Sequence, residues 1–407
     1  MPLLRATSRA TRSQRLAWIE GIRIFAAVMI LLYHAQLLFT KSAFTPQPTG
    51  LLDNLQHLSA EGFHLWPNPW VNMLSLPLWF GFQFLDVFVL ISGFSLVLSL
   101  RGKLLETSSF LRHRLQRLLW PFWTVAWLSY PVLWLIGAVT HSYRPDAWHS
   151  FAGATFPLTS DYRGSLLLPT SGPWWFIPLV ISFTLIFPLL WKLLQRWGAL
   201  NLLLISTLLT VGYRALATYQ LGGHPTYVIL DTPAVEEPFQ LFLAKLSTFV
   251  VGMVVAQAYS RDQGPLLWSQ SRAMLLGMLL YAIGFICQFS RLGWIFADLL
   301  LPLGLSLVCM VGARSLARAH YTQLLMVKLG SHSYSYFLIH NLVVDRTLTL
   351  AVHGSGTLYS LLLPMMAVGT LVLAVLADYV RPLLKRLIIN FLGHADCIFS
   401  KSSSLEG

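Results

Sequence analysis

The sequence predicts an all-α polytopic membrane protein with about ten transmembrane helices and both termini cytoplasmic. Three observations carry that prediction. First, hydrophobic residues make up 56% of the 407 residues and charged residues only 11%, against about 25% charged in an average soluble domain. Mean hydropathy is +0.63. A soluble enzyme of this length needs a charged surface, so composition excludes one, along with a disordered chain and a disulfide scaffold. Second, apolar runs of about 20 residues, the length that crosses a bilayer, recur along almost the whole chain. They are continuous, not alternating as in a barrel. Third, the basic residues sort by loop.

The runs fall at 17–39, 76–100, 118–139, 173–191, 199–218, 239–259, 273–290, 293–313, 333–352 and 358–380. With the N-terminus in the cytoplasm, the inside segments hold 20 of the 28 Lys and Arg residues. Among these are Arg5, Arg9, Arg101, Lys103, Arg112, Arg114, Arg117, Lys192, Arg272, Arg314, Arg381 and Lys385. The outside loops and helix ends hold scattered cations such as Lys41, Arg144, Arg163, Arg214 and Arg346. This is the positive-inside pattern. It accounts for the net charge of +12 without a nucleic-acid partner. Residues 1–16 read as a basic cytoplasmic tail, 17–392 as one membrane domain and 393–407 as a polar C-terminal tail. Cys287, Cys309 and Cys397 lack metal-site spacing, and no metal is expected. The outside stretches 40–75 and 140–172 are long and carry Trp66, Trp70 and Trp148.

Ionisable residues inside spans are costly and tend to be functional. The first span holds Glu20, Arg23 and His34. Arg23 and His34 lie three helical turns apart on one face, separated by about 16 Å along the axis. Glu20 sits one turn before Arg23 on nearly the same stripe. The second span carries Asp86 near its middle. A buried carboxylate needs a partner or a proton, so Asp86 reads either as half of an ion pair or as a catalytic group. Ser92-Gly93 after it allows close helix approach.

Arg114 and Arg117 follow on a short amphipathic stretch that runs into the third span. They read as topology and headgroup anchors, or as an anion site for a phosphorylated cytoplasmic donor. Trp174 and Trp175 open the fourth span, as an aromatic belt or as a sugar-stacking platform. The ninth span carries His340 mid-membrane.

Taken in order, these segments resemble the acyltransferase-3 family of membrane O-acyltransferases, from about Trp18 to Arg386. Glu20-Gly21-Ile22-Arg23 with His34 is similar to that family's D-G-L-R…H signature. Leu85 to Phe94 is similar in register to V-D-L-F-F-V-L-S-G-F. Arg114-x-x-Arg117 matches R-x-x-R, Trp175-Phe176 resembles a W-F segment, and Ser333 to His340 resembles S-Y-G-x-Y-L-x-H. Glu20 stands where Asp is usual, and Ser335 replaces a common Gly.

The resemblance implies transfer of an acyl group, usually acetyl from cytoplasmic acetyl-CoA, to a hydroxyl of a glycan or lipid-linked saccharide. The expected location is a bacterial inner membrane, among membrane lipids. Arg23 and His34 match the family's essential pair, with Glu20 and Asp86 as further catalytic candidates. Arg114, Arg117 and Arg23 are the expected ligands of the donor, and Trp174, Trp175 and His340 those of the acceptor. His34 would act as general base. A transporter or flippase, or a non-catalytic component of polysaccharide export, is the rival reading. The paired broken helices of two related halves that would mark a transporter are not evident.

Overall fold

A computed structural model describes residues 2–41, 46–62, 75–100, 104–141, 172–220 and 238–403. Trp66, Trp70 and Trp148 lie outside the described residues, as do Arg101, Lys103, Arg144 and Arg163. Among the described residues there is no strand, only an isolated bridge between Thr49 and Ser290. The chain runs through α1 (Pro2–Thr40), α2 (Leu51–Gly62), α3 (Phe84–Leu100), α4 (Thr107–Thr140), α5 (Phe176–Tyr219) and α6 (Pro238–Ser260). It continues through α7 (Gln270–Cys287), α8 (Arg291–Leu316), α9 (His320–Gly330), α10 (Ser333–Thr347) and α11 (Gly356–Ser403).

Eight of the described helical segments are long and apolar enough to cross a membrane, against about ten expected runs. Two causes account for the difference. The fourth and fifth runs both fall in α5, which is non-helical at Gly198 (φ 81°, ψ 170°). Phe183 and Thr210 would stand about 40 Å apart on a straight helix. Yet Phe183 stacks on Phe249 at 4.4 Å, and Thr210 donates to the Leu243 carbonyl at 3.0 Å. Leu243 and Phe249 are only about 9 Å apart on α6, so the chain reverses at Gly198, whose positive φ suits glycine.

The ninth run is α10, whose 15 residues are fewer than a spanning helix needs. A π turn (Leu348–Val352) extends it. Tyr336 to Leu342 of α10 are all buried. A helix sheathed by other helices can carry Ser335, His340 and Asn341 without presenting them to lipid.

Serine caps set the starts of α7 and α8. Ser269 accepts from the Arg272 amide, and Ser290 from the Gly293 amide, each satisfying a donor that the first turn leaves free. α3 and α6 approach through two glycines. A Cβ on Gly93 would lie 2.2 Å from the Phe249 carbonyl oxygen, and one on Gly252 2.1 Å from that of Leu90. Small residues at such a crossing let backbones close on each other inside a membrane. α1 packs against α3, α8, α9, α10 and α11 and so runs through the middle of the bundle. That placement gives both ends of its polar stripe buried neighbours.

Candidate active site

Arg23 is aimed by two partners. Its Nη1 donates to Glu20 Oε1 at 2.6 Å, one turn back on α1. Its Nη2 donates to Ser95 Oγ at 2.7 Å, across on α3. Glu20 and Arg23 line a cavity of about 810 Å³ at the Arg-rich end of the bundle. Cavities of this size hold cofactor-sized molecules. Arg114 and Arg117 line it from α4, and Arg381 and Lys385 from α11. Among the described residues Glu20, already paired with Arg23, is its one acidic lining residue. Among the described residues, Arg114 Nε is buried without a hydrogen-bond partner, a donor that an anion would satisfy. The described lining of the cavity is therefore rich in positive charge, which would complement a ligand carrying several negative charges.

Two cavity-lining groups that the sequence reading treats only as topology charges join here. Arg381 donates to Asp378 Oδ1 at 2.9 Å, and Asp378 in turn takes Ser335 Oγ at 2.7 Å and contacts His332 Nδ1 at 2.6 Å. Lys385 lies over the Trp120 ring, 5.6 Å from its centre. Tyr334, also on the cavity wall, donates to the Leu118 carbonyl at 3.1 Å and ties α10 to α4.

Towards the bundle interior the cavity meets three phenylalanines, Phe88, Phe176 and Phe337. Phe176 and Phe337 meet edge to face at 5.2 Å, and Phe88 lies 6.0 Å from Phe337. Beyond Phe337 comes His340, its ring centre 5.4 Å away, and then His34, 5.1 Å from His340. His340 is fully buried, whereas His34 is partly exposed. The nitrogens define a short chain. His340 Nδ1 lies 2.5 Å from the Phe337 carbonyl oxygen. His340 Nε2 lies 3.3 Å from His34 Nδ1, and His34 Nδ1 lies 2.9 Å from the Ile30 carbonyl oxygen. Arg23 and His34 thus stand at the two ends of one path, the first at the basic cavity and the second past its aromatic end.

Asp86 is not on that path. Its carboxylate lies 2.9 Å from Lys245 Nζ of α6. Lys245 also bonds Asp298 of α8, and Asp298 accepts from Arg214 of α5 at 2.6 Å. Arg214 further donates to the carbonyls of Trp294 and Ile295. Two carboxylates and two cations form a neutral buried network across four helices. Its side chains are between 1% and 14% exposed. Trp175 lines a small cavity with all four of these residues, so Asp86 and Trp175 come together. Trp174 is committed elsewhere: its indole N–H donates to the Leu338 carbonyl at 2.9 Å, and its ring meets Phe122 edge-on.

Lys245 in the sixth apolar run and Asp298 in the eighth are missed residues that the sequence signals directly, since a charge inside a span demands a partner. No curated protein and no solved structure matches the chain. The family model described as an acyltransferase domain, Acyl_transf_3, matches residues 16–393, nearly the whole length and every residue of the path and network above. The chain is an integral membrane protein that belongs to the acyltransferase-3 family.

Proposed function

We propose that this acyltransferase moves an acyl group, in the simplest case acetyl, from cytoplasmic acyl-CoA to a hydroxyl of a cell-surface or lipid-linked saccharide in a bacterial inner membrane. The observation that carries the reading is the basic cavity whose aromatic wall, at Phe337, packs against a histidine pair. Coenzyme A has phosphates at one end and its thioester on a long, thin arm. Arg114, Arg117, Arg381 and Lys385 would hold the phosphates by charge-assisted bonds. Arg23, fixed by Glu20 and Ser95, would stand where the arm leaves the cavity. The arm must then cover about 16 Å, three helical turns, to bring the thioester to His34. The basic loops support a cytoplasmic position for this cavity, the side on which acyl-CoA is made.

In this reading His34 Nε2 takes the proton from the acceptor hydroxyl as its oxygen attacks the thioester carbonyl. The tetrahedral intermediate then expels the coenzyme A thiolate, and the proton on His34 passes to that sulfur. One C–O bond forms, one C–S bond breaks, and the histidine ends as it began. Glu20 serves as a positioning residue for Arg23. Asp86 serves the fold through Lys245, and Trp175 is the aromatic face left for a saccharide. The test is mass spectrometry of envelope glycans from cells with and without the protein. A mass increment of one acyl group that depends on the protein is expected. Identical glycan masses in the two strains would remove the saccharide acceptor.

A further inference from the structure

We propose that His340 is a positioning residue that sets the tautomer of His34, leaving Nε2 of His34 as the bare, basic nitrogen. The inference rests on the reading of His34 as the base. A carbonyl oxygen can only accept. His340 Nδ1, 2.5 Å from the Phe337 carbonyl oxygen, therefore carries a hydrogen and donates it. In a neutral imidazole the second nitrogen is then bare, so His340 Nε2 is an acceptor. It faces His34 Nδ1 at 3.3 Å. His34 Nδ1 also lies 2.9 Å from the Ile30 carbonyl oxygen. Both neighbours of that nitrogen are acceptors, so the hydrogen of neutral His34 belongs on Nδ1.

The consequence falls on the other side of the ring. Nε2 of His34 is left with its lone pair free, and it makes no hydrogen bond among the described residues. The residue is only partly buried, and in this reading the acceptor hydroxyl approaches Nε2. When Nε2 takes the proton, the imidazolium charge strengthens the bond from Nδ1–H to His340, because charge-assisted bonds are the stronger kind. His340 thus fills the place that a carboxylate holds in a Ser-His-Asp triad, with a neutral acceptor anchored to its own helix backbone. A neutral partner suits this site, which is buried: its neighbours on α10, Ile339 and Asn341, are both buried.

The chain of bonds can be cut and rebuilt. Glutamine at 340 can place its carbonyl oxygen near the position of Nε2, whereas leucine has no acceptor. Initial rates would be read in everted membrane vesicles containing the endogenous acceptor, with radiolabelled acetyl-CoA, protein amount being fixed by immunoblot. His340→Leu is expected to lower kcat by about tenfold to thousandfold. This is less than the loss of about 10⁴ when a triad partner forces the wrong tautomer, because the Ile30 carbonyl remains. KM for acetyl-CoA should stay unchanged, and His340→Gln should recover at least tenfold of the loss.

The second measurement needs no turnover: ¹⁵N solid-state NMR of histidine-labelled wild-type protein, with His34 assigned against His34→Gln. A protonated Nδ1 and a bare Nε2 are expected. A protonated Nε2 in neutral His34 would overturn the inference. So would equal rates for His340→Leu and wild type in vesicles where His34→Ala is inactive. An active His34→Ala would strike the general-base reading instead, leaving the NMR assignment to decide the tautomer.

Discussion

Replacing Lys245 with methionine tests the part assigned to Asp86. Lys245 is 2% exposed and lies between two carboxylates, with Asp86 at 2.9 Å and Asp298 on its other side. Methionine keeps most of the apolar stem and removes the charge. The network then carries two carboxylates against Arg214 alone, and one buried negative charge is stranded. Breaking a buried pair in this way costs about 3–5 kcal/mol. Asp86→Asn strands the opposite charge and should cost a similar amount. In the double variant Lys245→Met/Asp86→Asn both charges of the broken pair are gone, and Arg214 still holds Asp298 at 2.6 Å. The double variant should therefore be more stable than the sum of the single losses allows, by about 0.5–3 kcal/mol of coupling. The assay is thermal unfolding of the purified protein in detergent, with acyl transfer in everted vesicles as a second readout. Additive losses would refute the pairing argument. A stable double variant without activity would show instead that Asp86 takes part in the chemistry.

His34→Ala should lower kcat by about 10²–10⁴-fold, the usual share of a general base, with coenzyme A binding intact by calorimetry. Gly252→Ala should destabilise by about 1–3 kcal/mol, the range for overpacking, because its Cβ meets the Leu90 carbonyl of α3 at 2.1 Å; thermal unfolding reads the loss. Ser108→Cys, in a variant lacking the three native cysteines, should resist an impermeant thiol reagent applied to sealed cells and react in everted vesicles. Labelling from outside would reverse the orientation.

Much of the fold was legible because membrane helices declare themselves locally. A run of about 20 apolar residues is visible without knowing what it packs against. The stripe of Glu20, Arg23 and His34 was legible for the same reason, as one helix fixes their relative position. What escaped depended on contacts between distant segments. His340 meets His34 across 306 residues, and nothing in either span announces the other. Arg381 and Lys385 read as ordinary inside charges until α11 is placed beside α4 and α10. Lys245, Asp298 and Arg214 were written into apolar runs or their ends, and their network with Asp86 forms only when α3, α5, α6 and α8 come together. The chain reversal at Gly198 was implied by two apolar runs in succession. The short length of α10 was hidden, because the apolar residues after Thr347 extend the run into a π turn and past the helix proper.

The central claim is that the basic cavity takes the phosphates of the acyl donor. Calorimetric titration of coenzyme A into purified wild-type, Arg114→Lys and Arg117→Lys protein tests it most directly. Lysine keeps the charge but loses the planar fork that grips a phosphate. Losing one charge-assisted bond costs about 1.5–3 kcal/mol, so binding should weaken by about 10- to 150-fold in at least one lysine variant. Coenzyme A bound equally well by all three proteins would contradict the account, because the guanidinium groups would then serve only to orient the chain in the membrane.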